Sequence, residues 1–314
     1  MAQLRSFDAH EINELVSMPA AITALRDCFA KRPSHIARTQ YGVAGGEFLL
    51  MPAVDADTAG IKLIMVQPKN AERGVPIIQG TYVLFDADAG HPIALLDGAA
   101  LTNIRTPAVS AIATAALARP DVQTLGIIGS GPQAVGHIQA MLCVRPSLRS
   151  IVLASRTRAN AQALVDNLIE QHALDGEISI RVGDYAEAAA CDIVCAGTRA
   201  TEPIINASMV RSGAHINAVG SYRTDMRELS TDLVAAARVV VDDIHAAHDE
   251  AGDLYLAVHD AGWSWDRVIG DLADVAAGRI GRQSNDEITL FKSVGLAVQD
   301  LVIARHVCAA SGLL

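Results

Sequence analysis

The feature that most constrains this chain is a short apolar run, residues 125–128, which ends in Gly129-Ser130-Gly131-Pro132-Gln133-Ala134 and continues into a helix-length segment, 133–144. A strand, a glycine-rich turn and a helix in that order present backbone N–H groups to a bound pyrophosphate. Gly129 permits the tight turn, Gly131 lets the ligand approach the backbone, and Ala134 keeps the helix close to the strand. Further short apolar runs follow at 151–154, 178–182, 193–196, 216–219 and 239–241, most of them separated by helix-length segments such as 159–171. Alternation at this spacing predicts a doubly wound parallel sheet.

The first hundred residues read differently. A helix is expected over 19–31, then short strands near 47–51, 61–67 and 81–86, with turns at Gly45-Gly46, Pro68-Lys69-Asn70 and Asp88-Ala89-Gly90. Strands that follow one another so closely suit a mainly antiparallel sheet. A final amphipathic stretch, 287–310, with Ile288, Phe291, Gly295, Val298 and Val302 on one face, lies beyond the sixth strand and is expected to rejoin this first domain. The expected fold class is therefore α/β: a Rossmann-type domain, 116–286, inserted in an α+β domain made of 1–115 and 287–314.

Composition excludes several classes of function. A net charge of -10 without any Lys/Arg-rich tract argues against nucleic acid. No run approaches the roughly 18 apolar residues that a membrane span needs, and 108–118, broken by Ser and Thr, reads as a packed helix. The N-terminal segment 1–10 carries Arg5, Asp8 and His10 and is not read as a signal peptide. The five cysteines, Cys28, Cys143, Cys191, Cys195 and Cys308, lack CxxC spacing and are expected as buried reduced thiols, which places the chain in the cytoplasm. The ten histidines show no ligand spacing on one helix face, so no metal is expected. Glu47, Asp253 and the Asp242-Asp243 pair read as turns, caps or solvated ends, and Trp263 and Trp265 as local packing in a surface-like segment.

The cofactor follows from the second strand. NAD-binding domains usually place an acid at its end, to hold the ribose 2′-hydroxyl. Here the strand ends Ala154-Ser155-Arg156-Thr157-Arg158, where Arg156 can fork onto a 2′-phosphate and Ser155 or Thr157 can donate hydrogen bonds. NADP(H) is favoured over NAD(H).

Several ordered motifs carry a wider resemblance: Leu50-Met51-Pro52-Ala53, Gly60-Ile61-Lys62, Asp97-Gly98 followed by Leu101-Thr102-Asn103-Ile104-Arg105-Thr106, the loop Gly129 to Ala134, His215-Ile216-Asn217-Ala218-Val219-Gly220, Gly252-Asp253-Leu254 and Thr289-Leu290-Phe291-Lys292-Ser293-Val294-Gly295. In these the chain resembles, nearly end to end, the ornithine cyclodeaminase/mu-crystallin family. The resemblance implies a homodimer with an N-terminal substrate and dimerisation domain completed by the C-terminal helix. It also implies chemistry at a carbon bearing an amine or imine beside a carboxylate.

Arg38, Lys62 and Arg105 match the family positions that grip the substrate carboxylate. A small anionic substrate needs such a clamp to set its reacting carbon over the nicotinamide, and a cation in the apolar strand around Lys62 is costly unless it faces a site. The cofactor side is expected to use Gly129, Ser130, Gly131, Pro132, Gln133, Ala134, Ser155, Arg156, Thr157, Thr198, Val219, Gly220, Ser221 and Lys292. Cyclodeaminases that this chain resembles carry an aspartate two residues after the glycine of the Asn-Ala-Val-Gly run. Tyr222 stands there instead, and Asp225 is out of register. Together with the missing acid after the second strand, this turns the expectation from cyclodeamination to reduction by NADPH of a cyclic ketimine carboxylate, delta-1-pyrroline-2-carboxylate or its six-membered homologue, to L-proline or L-pipecolate. Tyr222, Ser221 and Lys292 are the neighbouring candidates for a proton donor. The alternatives are an alanine- or arginine-type amino-acid dehydrogenase, an ornithine cyclodeaminase, and a cofactor-binding protein without catalysis.

Overall fold

The structure is a computed structural model that describes residues 4–171, 173–174 and 176–314; of the N-terminal segment read above, residues 1–3 lie outside it. The chain forms two compact units, one of Met1–Thr106 with Leu296–Leu314 and the other of Pro107–Gly295.

The first unit opens with β1 (Arg5–Phe7), α1 (Ala9–Leu15) and α2 (Met18–Phe29). Asp8 starts α1 through a reciprocal capping box with Glu11, and Ser17 caps α2 ahead of Pro19. A meander follows: β2 (Thr39–Val43), β3 (Gly46–Val54), β4 (Thr58–Val66), β5 (Ile78–Asp86) and β6 (Pro92–Asp97). The sheet order is β1-β6-β5-β4-β3-β2, antiparallel except that β1 joins β6 in parallel. Strand β4 alternates throughout, and β3 and β6 over most of their length, as one buried face requires. Leu49, Met51, Lys62, Ile64, Tyr82, Leu84 and Leu96 point to the buried face, whereas Leu50, Pro52, Ile61, Leu63, Val83 and Leu95 on the other face are half-buried.

Helix α3 (Gly98–Leu117) carries the chain out of this unit, and the boundary falls at Pro107, inside the helix, where a backbone donor is missing. The second unit continues with β7 (Thr124–Ile128), α4 (Pro132–Val144), β8 (Ser150–Ala154), α5 (Arg158–Glu170), β9 (Ser179–Val182), α6 (Tyr185–Ala189), β10 (Ile193–Ala196) and β11 (His215–Ala218). Then come α7 (Thr231–Ala236), β12 (Ala237–Val241), α8 (Ile244–Glu250), α9 (Gly252–Ala261), β13 (Val268–Asp271), α10 (Leu272–Ala276) and β14 (Ile288–Lys292). All eight strands are parallel, in the order β13-β12-β14-β11-β10-β7-β8-β9. The order reverses between β7 and β10, which makes the loops after those two strands the switch point where such sheets take ligands. The chain ends in the first unit with α11 (Ala297–Ala310), packed on α2 and across β3, β4 and β5.

Three sequence expectations change, the burial of all five cysteines among them. The stretch 287–310 is not one helix: residues 288–292 form β14, threaded between β11 and β12 in the second unit, and only α11 rejoins the first. Five consecutive inward residues satisfy a central parallel strand as well as a buried helix turn, so the apolar spacing misled. Trp263 is buried rather than part of a surface segment, and Trp265 beside it stacks on His248 at 3.9 Å between ring centroids. Cys191, Cys195 and Cys308 are buried free thiols, while Cys143 is exposed. No helix among the described residues is long and apolar enough to cross a membrane.

Candidate functional sites in the two units

In the second unit the chain leaves β7 through Gly129, whose φ of +116° lies where side chains are strained. A Cβ there would also stand 2.9 Å from the carbonyl oxygen of Gly197, so two strand ends approach each other at this glycine. Gly131 caps α4 with extended backbone, Pro132 takes the first helical position, and nothing lies within 4 Å of a Cβ built on Gly131. The unshielded helix N-terminus suits a phosphate. Ser130 and Ser155 share a hydrogen bond of 2.9 Å across the tips of β7 and β8.

Beyond the loop lies a cleft of about 320 Å³, lined by Gly129, Ser130, Gly131, Ser155, Arg156, Thr157, Thr198 and Arg199, with Asn160, Tyr185 and Ile204. Its glycine cradle and its two guanidinium groups suit the phosphates of a dinucleotide. Sequence reasoning did not single out Arg199, which directly follows Thr198. Its signal was a second cation three residues past the end of a central strand.

The ends of β10 and β11 are fixed from below by a buried network. Glu228 accepts from the backbone N–H and hydroxyl of Thr198, at 2.6 and 2.8 Å, and from the Gly220 N–H at 2.8 Å. Asp253 accepts from the Glu228 and Leu229 N–H groups at 2.6 and 2.9 Å and from the Ser221 hydroxyl at 2.5 Å. Lys292 pairs with Asp253 at 3.0 Å and donates to the Ser221 carbonyl and hydroxyl at 2.6 and 2.8 Å. Burial, and then the Asp253 charge, push the Glu228 carboxyl above its usual range. Burial resists ionisation of Asp253 as well, but Lys292 and the hydrogen bonds hold it below the usual range.

Lys292 and Ser221, both expected on the cofactor side, are fully buried, and their side chains bond to Asp253 and to each other. The reading of two acids changes. Asp253 is no solvated turn residue but the centre of the network. Asp242 is likewise buried, accepting from the Ser293 hydroxyl and from the N–H groups of Val294 and Gly295, while Asp243 caps α8. Gly220 must be glycine here, since a Cβ would collide with Thr198 and Glu228. Val219, Gly220 and Tyr222 lie half-buried on the strand-end loop.

In the first unit, Lys62 on β4 lies on the buried face with Met51 and Tyr82 as its cross-strand neighbours. Its ammonium donates to Asp300 Oδ1 on α11 at 2.6 Å and to Thr102 Oγ1 on α3 at 3.0 Å. Arg105, three residues beyond Thr102, donates to Gln299 Oε1 at 2.9 Å and places its Nε 3.7 Å from Asp300 Oδ1. Burial lowers the Lys62 pKa most; Asp300 opposes this, Arg105 and Arg38 add to the lowering, and the ammonium titrates at about 7. Arg38, half-buried just before β2, is therefore close enough for its charge to act on Lys62. Lys62 and Arg105 meet at Asp300, with the charge of Arg38 acting on Lys62, a gathering of cations that suits a small carboxylate ligand. Asp300 and Gln299 were missed by sequence reasoning, although two buried polar residues inside the apolar run of α11 were a readable signal. Among the described residues, no group of three or more His, Cys, Asp or Glu side chains could hold a metal ion.

A Rossmann-type cofactor unit joined in one chain to a sheet bearing a buried cation cluster defines a class of dinucleotide-binding enzymes. The family model for the ornithine cyclodeaminase/mu-crystallin family matches residues 6–310, and the chain belongs to that family. A Delta(1)-pyrroline-2-carboxylate reductase of Bacillus cereus is 37% identical over 309 residues, covering 95% of this chain and 94% of that protein. Among solved structures, the Delta(1)-pyrroline-2-carboxylate reductase of Thermococcus litoralis in complex with NADH and L-proline is 30% identical. It superposes with a TM-score of 0.92, covering 98% of this chain and 97% of that one. An archaeal alanine dehydrogenase dimer with bound NAD is 29% identical, with a TM-score of 0.91 over 98% of this chain and 96% of that one.

Proposed function

We propose that this protein, an oxidoreductase of the family, reduces a cyclic ketimine carboxylate of the pyrroline-2-carboxylate or piperideine-2-carboxylate type to the corresponding cyclic amino acid, with NADPH preferred over NADH. The observation that carries the reading is the Lys62–Arg105 cluster: two buried cations with one carboxylate between them and the charge of Arg38 close by. Relatives named for the pyrroline-2-carboxylate reaction support the ring, and the T. litoralis enzyme holds L-proline with NADH.

In this reading Arg38, Lys62 and Arg105 fix the substrate carboxylate, and with it the neighbouring imine carbon. A bound nicotinamide supplies the hydride. The loop Gly129–Ala134 binds the pyrophosphate, and Glu228 holds the strand ends at Thr198 and Gly220 that flank the cofactor. A cyclic imine that arrives protonated needs no dedicated acid, which suits a chain with Tyr222 where cyclodeaminases have aspartate. The preference for NADPH rests on Arg156, Ser155 and Thr157 in the cofactor cleft, and Arg199 lines the same cleft. The half-buried apolar face of the first sheet supports assembly as a homodimer, since an apolar face of that kind favours a partner surface.

Arg105→Ala tests the reading. It should lower kcat/KM for pyrroline-2-carboxylate roughly tenfold to a hundredfold or more, the worth of one buried charged hydrogen bond, while NADPH binding is unchanged. An unchanged kcat/KM would remove the clamp from the account.

A further inference from the structure

Asp300 has no place in the scheme so far, yet it is the carboxylate that touches the clamp. It lies on α11 and is fully buried; its Oδ1 accepts from Lys62 at 2.6 Å and has Arg105 Nε at 3.7 Å. Its Oδ2 is buried without a hydrogen-bond partner, as is the Tyr82 hydroxyl, so no neutral donor among the described residues dilutes the pull of Asp300 on the two cations. The surroundings of Lys62 are otherwise unfavourable to charge. Its β3 neighbour is Met51, its β5 neighbour is Tyr82, α3 brings Arg105 and the neutral Thr102, α11 brings the neutral Gln299, and the segment before β2 brings Arg38. Among the described residues, the charges that act on Lys62 are those of Asp300, Arg105 and Arg38, and of these Asp300 is the anion.

We infer that Asp300 is a positioning residue that keeps Lys62 charged for the incoming carboxylate, and that substrate binding therefore draws a proton onto Lys62 at mildly alkaline pH. This rests on the carboxylate-binding role proposed above. The substrate carboxylate is a second anion beside Lys62 and completes what Asp300 begins. Without Asp300, burial and two cations act alone, and the ammonium is lost at lower pH. The sign is fixed: the charged form binds, so affinity falls as pH rises through the titration of Lys62.

The test uses cyclopentanecarboxylate as a competitive inhibitor, because its ring has no nitrogen to titrate. Its Ki, measured from pH 5 to 9 on the NADPH-bound enzyme, should weaken on an alkaline limb. In Asp300→Asn that limb should move down by about 1–3 pH units, with the two curves converging at low pH. Parallel curves, displaced equally at all pH values, mean that Asp300 only fills space and overturn the inference. Calorimetry on the wild type does not depend on the variant's folding. At pH 8, in buffers of different protonation enthalpy, binding should take up about one proton, and no uptake overturns the inference. The two readings fail separately. Proton uptake with no turnover of any cyclic ketimine refutes the proposed reaction and leaves Asp300 in its role. Turnover with parallel curves does the reverse.

Discussion

Replacing Lys292 with methionine separates a catalytic lysine from a structural one. The side chain is fully buried, and its ammonium makes three polar contacts at 2.6–3.0 Å, to the Ser221 carbonyl, the Ser221 hydroxyl and Asp253. Methionine preserves most of the volume, so little of the effect comes from a cavity. What changes is charge: Asp253 and Glu228 are both buried, the charge of Lys292 favours the ionised form of each, and removing the cation leaves them uncompensated. Breaking a buried pair in this way costs about 3–5 kcal/mol, a large part of a typical stability of 5–15 kcal/mol. Urea unfolding followed by circular dichroism should show a midpoint lower by about 1–2 M, for a denaturant slope of about 2–3 kcal/mol per molar. The double variant Lys292→Met/Asp253→Asn should be less destabilised than Lys292→Met alone. An amide at 253 can donate to the Ser221 hydroxyl that Lys292 no longer occupies, and one buried charge is gone. A loss below about 1 kcal/mol together with abolished turnover would refute the structural assignment and restore Lys292 as a proton donor.

Other consequences are as direct. Arg156→Ala should raise the KM for NADPH at least tenfold and leave that for NADH nearly unchanged, since a forked contact to a 2′-phosphate is lost and the ribose hydroxyl loses nothing; equal effects on both would remove Arg156 from the specificity. His137 and His215 are fully buried in the second unit, and burial pushes their pKa values down to about 4 and about 3 from 6.5. The unfolded chain therefore binds protons first as pH falls, and stability that is complete above pH 6.5 should decline steadily towards pH 4. A urea midpoint that stays level between pH 7 and 5 would contradict this.

The second unit was the more legible in sequence. A glycine-rich turn has meaning only between a strand and a helix, and the runs at 151–154 and 193–196 were spaced as a doubly wound sheet demands. β14 was not legible, because the residues Ile288, Thr289, Leu290, Phe291 and Lys292 face inward on both sides of a central strand and leave no period to read. β1, β2 and β6 escaped notice as short or exposed strands whose pairing is set by distant partners. At the sites, a lysine inside an apolar strand announced itself, as did the missing acid after β8. The carboxylates did not. Asp253 follows a glycine and looks like a turn, and Asp300 sits in a helix otherwise read as packing, yet each acts as the counter-charge of a buried lysine in its own unit. A buried cation implies such a partner, but only the fold says which of the 35 acids it is.

Following NADPH absorbance at neutral pH with pyrroline-2-carboxylate and, in parallel, with pyruvate plus ammonia distinguishes ketimine reduction from open-chain amino-acid dehydrogenation. NADPH should be oxidised with the cyclic ketimine, with a kcat/KM at least a hundredfold above that with pyruvate and ammonia, and turnover should slow when NADH replaces NADPH. No turnover of the cyclic ketimine above background, or a higher kcat/KM with pyruvate and ammonia, would contradict the proposed ketimine reduction.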